Sequence, residues 1–350
     1  METIVNRHFI VRTLVLLAAV PLSVQAYSPP KSGADLDDGN KSQAFPDEDV
    51  PEGFMIIEGD IQVPVDFYDQ LETASVAASN LWPDGIVYFE WDANVDSDRR
   101  EDMRLAMQEW IDVADISFVP RTGWEPSWIH IQNSSGNNSP VGIAPGQRTI
   151  NIFNWNERFI MAHELAHTLG VWHEQSRPDR DTACDGGPCV IINLANVCQN
   201  CCSGQPCNSN FLIQPGADTF GPYDFDSVMH YDQCAFSTNE DCPDDGSATI
   251  TVPPPNEDWQ DEIGQIDHLS DGDIDGMQSL YGTGPTIYIA DAPDAGDGTL
   301  NEPFTSFVNG MGQAGDGARV FVRSDSYFAV GTYARWAMVY AYEGTVTLGN

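Results

Sequence analysis

Lysine is nearly absent from this sequence: Lys31 and Lys41 are the only two, so arginine alone supplies fixed positive charge beyond position 41. Fifteen Lys and Arg stand against 53 Asp and Glu, a formal net charge of −38. A surface of that sign repels phosphate backbones and anionic headgroups, so neither nucleic acid nor an anionic membrane surface is an expected partner. Its simplest role is solvation, in surroundings salty enough to screen the self-repulsion.

Long apolar runs are scarce as well. The one near the N-terminus, Leu14-Val15-Leu16-Leu17-Ala18-Ala19-Val20, is too short to cross a bilayer, and no later stretch is long enough. Arg7 and Arg12 flank its start, and Val24-Gln25-Ala26 follows as a small-residue cleavage pattern. Residues 1–26 therefore read as a signal peptide cut after Ala26. Export without membrane insertion is expected.

Cysteine is missing from most of the chain. All eight lie between Cys184 and Cys242, six of them from Cys184 to Cys207. Cys198-x-x-Cys201 is compatible with a metal knuckle, but an even count in an exported chain favours disulfides, whose pairing the sequence leaves open.

Apolar residues are plentiful, 41% of 350, enough for two or three folding units. Phe159-Ile160-Met161-Ala162 leads as a helix into His163-Glu164-Leu165-Ala166-His167-Thr168-Leu169-Gly170-Val171-Trp172-His173. Four residues of helix stack His163 and His167 on one face. Gly170 suits a left-handed turn after the last helical residue, which brings His173 back to complete a three-histidine face. Three nitrogen ligands with one open position describe a catalytic zinc site, in which Glu164 can hold a water without ligating the metal.

The continuation His173-Glu174-Gln175-Ser176-Arg177-Pro178-Asp179-Arg180-Asp181 resembles the signature of the astacin family of zinc endopeptidases, a branch of the metzincins. Downstream, Ser227-Val228-Met229-His230-Tyr231 is similar to the family's methionine turn. The resemblance runs from about Trp82 to Gly282. It implies an α+β, two-lobed catalytic domain with the zinc-binding helix at the cleft. His163, His167 and His173 would hold one zinc ion, Glu164 would act as general base, and Tyr231 would stabilise the oxyanion. Met229 would floor the metal site, and Glu174 would receive the N-terminal ammonium freed by maturation. The substrate would be a protein or peptide.

The segment before the match carries Ile57-Glu58-Gly59-Asp60-Ile61, similar to a family propeptide motif in which an aspartate blocks the zinc, with Ile57 in place of the usual phenylalanine. The resemblance thus makes Asp60 the latency residue and implies an activating protease that cuts near Thr73 to Asn80. The expected order is signal peptide 1–26, propeptide 27–78, peptidase domain 79–282 and a β-rich tail 283–350. Gly298 to Ser306 in the tail resembles the opening of a right-handed parallel β-helix domain, here incomplete. The family's usual cysteine near Ser135-Gly136-Asn137-Asn138-Ser139 is absent, so the 184–207 cluster must supply different staples.

Other local readings complete the picture. Asp98 to Ile111 has helical spacing with Met103, Ala106, Met107 and Trp110 on one side, a core stripe. Trp128 to Asn133 alternates and reads as an edge strand that, in this family, pairs with extended substrate. His130 on it reads as a surface residue and not a fourth ligand. Leu269 to Gly276 fails as a calcium loop because Gly282 stands where the acidic ligand belongs, and Ser270 with Asp273 reads as a helix cap. Two rival functions remain at this level: an exported carbohydrate-binding or adhesive protein with a structural zinc unit, and a zinc hydrolase of a non-protein bond.

Overall fold

The computed structural model describes residues 50–67, 81–202, 207–239, 241–244, 246–291, 296–315, 318–329, 337–343 and 345–349, with two short strands at 2–5 and 9–11. The apolar run Leu14–Val20, the Val24–Ala26 cleavage pattern and the Thr73–Asn80 activation region lie outside the described residues.

A four-stranded parallel sheet carries the first half of the peptidase region: β1 (Ile86–Trp91), β2 (Ser117–Pro120), β3 (Ser127–Asn133) and β4 (Gly146–Ile152), in spatial order β2-β1-β3-β4. Helix α1 (Ser97–Val113) connects β1 to β2 and is capped by Asp96, whose carboxylate accepts from Arg99 N at 3.0 Å. Its Met103, Ala106, Met107 and Trp110 are all buried, as the stripe predicts. The Trp110 indole donates to Ala162 O at 2.9 Å, tying α1 to α2 (Arg158–Thr168), the helix that carries the histidines.

One expectation is corrected. β3 is not an edge strand, because β4 pairs along its whole length on the side away from β1. The alternation arises from its two faces: Ile129 and Ile131 are fully buried, while Trp128 and His130 join Glu90, Asp92 and Arg121 on the other side. His130 bridges Glu90 and Asp92 at 3.1 Å each and is not grouped with His163, His167 and His173.

Beyond α2 the chain is mostly irregular, and its staples hold it together. The eight cysteines pair as Cys184–Cys189, Cys198–Cys201, Cys202–Cys207 and Cys234–Cys242, so the Cys198-x-x-Cys201 element is a disulfide. Around them Val190, Phe211, Tyr223, Phe225, Phe236 and Ile263 form a second apolar cluster, separate from the sheet's core. Helix α3 (Asp271–Tyr281) follows, with Ser270 and Asp273 in a reciprocal capping box.

The tail folds onto the sheet's core. β5 (Thr286–Ile289), β6 (Arg319–Arg323) and β7 (Ala337–Tyr342) run parallel in the order β5-β6-β7, with α4 (Phe307–Gln313) between β5 and β6. Tyr288, Phe321 and Tyr340 stack successively and belong to the same cluster as Trp110 and Phe118. Arg319, almost fully buried, pairs with Asp115 at 2.6 Å. Residues 9–11 pair antiparallel with the outer side of β7, and residues 2–5 with 345–348.

Candidate active site and metal centre

Helix α2 presents His163 and His167 one turn apart and ends as its spacing predicts. Gly170 takes φ +106°, its N–H bonds His167 O at 2.8 Å, and Val171 N bonds Ala166 O at 3.0 Å. This turn returns His173 to the helix face. The three Nε2 atoms then converge: His163 lies 3.1 Å from His167 and 3.2 Å from His173.

Each imidazole is oriented from behind. His163 Nδ1 donates to Val228 O, His167 Nδ1 to Val171 O, and His173 Nδ1 to the Glu58 carboxylate, all at 2.8 Å. A proton on Nδ1 leaves the Nε2 lone pair free to point inward, the usual support for a metal-bound histidine. Val228 belongs to the methionine turn, and Asp273 clamps that turn by accepting from Ser227 Oγ at 2.6 Å and Val228 N at 2.9 Å. Met229 is buried, and its carbonyl accepts from Glu174 N at 3.0 Å.

The fourth group is Asp60. Its carboxylate lies 3.3, 3.7 and 3.2 Å from the Nε2 atoms of His163, His167 and His173. Tetrahedral ligand bonds of about 2.0–2.1 Å put neighbouring ligand atoms about 3.3 Å apart, so this donor set has the spacing that zinc requires. The four ligand atoms lie within 4.8 Å of one another, and Asp60 Oδ1 is buried without a well-aligned hydrogen bond. A cation at their centre would satisfy it.

Electrostatics follow from this crowding. Burial lowers His167 to about 4 and keeps it neutral. Burial opposes a charge on His173 too, but Asp60 and Glu58 outweigh it and raise that group to about 10, so loading a metal must displace its proton. Burial opposes a charge on Asp60, but the charge on His173 and the nearby faces of the three imidazoles overcome it and hold that carboxyl well below its ordinary range. Glu164, nearly fully buried beside His163, is pushed well above its ordinary value by burial and then by the Asp60 charge. Glu174 is raised to about 7 by burial although Arg177 lies 3.0 Å away, and it also accepts from Asp224 N at 2.8 Å.

Asp60 arrives on a hairpin. Strands 54–57 and 61–64 pair antiparallel, and Ile61-Gln62 continues parallel onto Ser139-Pro140. The segment at 138–140, not β3, thus offers the strand edge beside the cleft, and the hairpin occupies it. The hairpin's turn is tight: Glu58 has φ +48° and Gly59 φ +78°. A Cβ on Gly59 would sit 2.6 Å from the Phe236 ring, so glycine is required there. The same turn engages Tyr231, whose hydroxyl donates to Glu58 O while its ring lies 4.6 Å from that of His173.

All eight residues singled out by sequence gather here: Asp60, His163, Glu164, His167, His173, Glu174, Met229 and Tyr231. Three further contributors carry no such signal. Glu58 reads only as part of a motif, Asp273 only as a cap, and Gln214, whose amide bonds Glu58, has no local pattern around it.

A helix-borne pair of histidines, a third after a glycine turn and a methionine turn beneath them define a zinc peptidase centre of the metzincin kind. Residues 74–282, more than half of the chain, match the family model described as Astacin, a peptidase family. This chain belongs to the astacin family, whose members are zinc metalloendopeptidases acting on proteins or peptides. It is 33% identical over 213 residues to zinc metalloproteinase nas-39 of Caenorhabditis elegans, covering 59% of this chain and 21% of that one. It is 31% identical over 233 residues to the low choriolytic enzyme of Oryzias latipes, covering 65% and 78%. Human Tolloid-like protein 1 is 31% identical over 233 residues, covering 63% and 21%. The chain thus spans about a fifth of the length of two of these relatives. Among solved structures, high choriolytic enzyme 1, a hatching enzyme zinc-protease from Oryzias latipes, aligns with a TM-score of 0.49 at 29% identity, covering 59% of this chain and 96% of that one.

Proposed function

We propose that this protein is a secreted zinc endopeptidase made as a latent precursor, with residues 1–26 as leader, 27–78 as propeptide, 79–282 as peptidase domain and 283–350 as a β-rich tail. The observation that carries the reading is the Asp60 carboxylate set among three inward-facing imidazole nitrogens beside a buried Glu164. His163, His167 and His173 would hold the zinc, and the Asp60 carboxylate set among them would keep substrate and water away until an activating protease removes the propeptide. Four disulfides suit an oxidising exterior. No helix among the described residues is long and apolar enough to cross a membrane.

When bound, zinc supplies Lewis acidity to water and to the scissile carbonyl. The rest falls to the chain. Glu164 takes the proton from the attacking water and passes it to the leaving amine as the C–N bond breaks. Departure of Asp60 removes the charge that helps keep Glu164 protonated, which lets it act as a base. Tyr231, freed from Glu58 O, donates to the oxygen on which negative charge develops. Met229 is the apolar floor, and Glu174, its side chain 15% exposed, stands where the family receives a freed N-terminus.

Glu164→Gln tests the assignment. The variant should fold, bind about one zinc per chain and lose at least about 10³-fold in turnover, within the range that general base catalysis supplies. Wild-type turnover in that variant would exclude Glu164 as the base.

A further inference from the structure

Helix α3 reaches the metal site at both of its ends. At its start Asp273 clamps the methionine turn, whose Val228 carbonyl holds His163 from behind. At its end Tyr281 reaches the other turn that places a histidine. The Tyr281 hydroxyl donates to Leu169 O at 2.8 Å and accepts from Trp82 N at 3.3 Å. The Trp82 indole donates to Thr168 O at 2.9 Å.

These two carbonyls need a donor from elsewhere in the chain. The last C=O groups of a helix have no helical N–H ahead of them, and the Gly170 turn carries the chain off the axis of α2. Thr168 and Leu169 are fully buried, so bulk water does not reach them. The donors come from opposite ends of the peptidase region, Trp82 near its start and Tyr281 near its close, and Leu81 packs over Gly170 itself. Burial raises the Tyr281 phenol, so its hydroxyl keeps the proton it donates.

Helix α3 is in turn fixed to the core. Its first turn is locked by the Ser270–Asp273 capping box, the Gln278 amide donates to Val113 O at 2.8 Å, and Gly282 O accepts from Asp115 N at 2.9 Å. Asp273 and Tyr281 are thereby held about 12 Å apart along a helix that rises about 1.5 Å per residue.

We propose that α3 is a strut that sets the separation of the methionine turn from the Gly170 turn, and so the convergence of His163 with His167 and His173, with Tyr281 as the positioning residue at its far end. This rests on the three histidines holding zinc. Without the hydroxyl, Leu169 O and Trp82 N lose their shared partner, and the Gly170 turn shifts relative to Val228. Ligands whose supporting contacts are loosened hold a metal less well.

The test uses the full zinc-loaded chain and reads release of the metal to an excess of a chromogenic chelator, so it needs no cleavage of any substrate. Tyr281→Phe should release zinc about tenfold faster than wild type, the factor that one net hydrogen bond supplies. Trp82→Phe, which keeps a ring but removes the indole N–H, should move release in the same direction. Tyr288→Phe, which loosens the edge of β2, serves as the control for general loss of stability and should release zinc at the wild-type rate. With cobalt in place of zinc, the visible absorption of the bound ion should shift in Tyr281→Phe and stay unchanged in Tyr288→Phe. Wild-type release from both Tyr281→Phe and Trp82→Phe would overturn the strut, as would equal acceleration in Tyr288→Phe. A wild-type chain that took up no zinc would overturn the metal reading and the strut together.

Discussion

Replacing Tyr288 by Phe tests whether the tail is built into the catalytic fold. Tyr288 is 1% exposed, and its hydroxyl accepts from Phe118 N at 3.2 Å and donates to Phe118 O at 3.3 Å. Phe118 lies on β2, the outermost strand of the central sheet, so this hydroxyl satisfies backbone groups that no neighbouring strand reaches. Thr286 extends the same edge cover, lying 3.3 Å from Ser117 Oγ and from Ile116 O. The substitution keeps the ring and its stacking on Phe321 but leaves a fully buried N–H and C=O without the hydroxyl. Losing a net hydrogen bond and stranding buried polar groups costs about 2 kcal/mol. A unit of this size loses about 2–4 °C of melting temperature per kcal/mol, so a fall of about 4–8 °C is expected. Scanning calorimetry of the zinc-loaded chain would read it, with Phe328→Ala, an exposed position on the tail, as a control expected to change stability by less than about 0.5 kcal/mol. A shift below about 1 °C would refute the reasoning, as would a separate early transition that left the main one unmoved. Either would mean that the tail rests on the catalytic unit without stabilising it.

Three further outcomes follow from the site. Asp60→Ala should give an uncut precursor that keeps its zinc and cleaves peptides at least about tenfold faster than the wild-type precursor, since about 1.4 kcal/mol of blocking suffices for that factor; a silent precursor would rule out the blocking role. Tyr231→Phe should retain the metal and lower kcat about 10²-fold, the loss seen when one oxyanion donor is removed; unchanged turnover would take Tyr231 out of the mechanism. His230 is buried, its Nε2 accepts a hydrogen bond from the Tyr223 hydroxyl at 2.8 Å, and burial depresses it to about 4. Its depressed value makes the unfolded chain the stronger proton binder between about 6.5 and 4. Its contribution, about 3 kcal/mol at most, is therefore present above about pH 6.5 and lost as pH falls towards about 4. Urea unfolding of wild type and His230→Asn at about pH 7 and about pH 4.5 should show a smaller acid loss in the variant, and equal losses would contradict the assignment.

How much of this is legible in the sequence depends on distance along the chain. The three histidines can be read because helical rise and one glycine turn fix their relation within the short span from His163 to His173. Tyr231 and Met229 come through a second motif, and Asp60 through a third, each recognisable but joined to the others only by family likeness. The edge-strand expectation for β3 fails because alternation reports which faces of a strand are buried and says nothing about which strands flank it. Gln214 leaves no trace, since a lone glutamine becomes the donor to Glu58 only after the fold places it there. Glu58 is visible as a letter in a motif, yet its reach to His173 spans 115 positions. The pairing of the cysteines is equally hidden, since the count favours disulfides without fixing connectivity. In the tail the apolar strands are legible, but not that Tyr288, Phe321 and Tyr340 complete the core around Trp110.

The central claim is a latent zinc endopeptidase, and casein cleavage by metal-analysed protein tests it most directly, before and after limited trypsin treatment, with and without a zinc chelator. The account predicts about one zinc per chain, with cleavage that appears only after processing and disappears with the chelator. A processed chain that holds its zinc and leaves casein intact would contradict it.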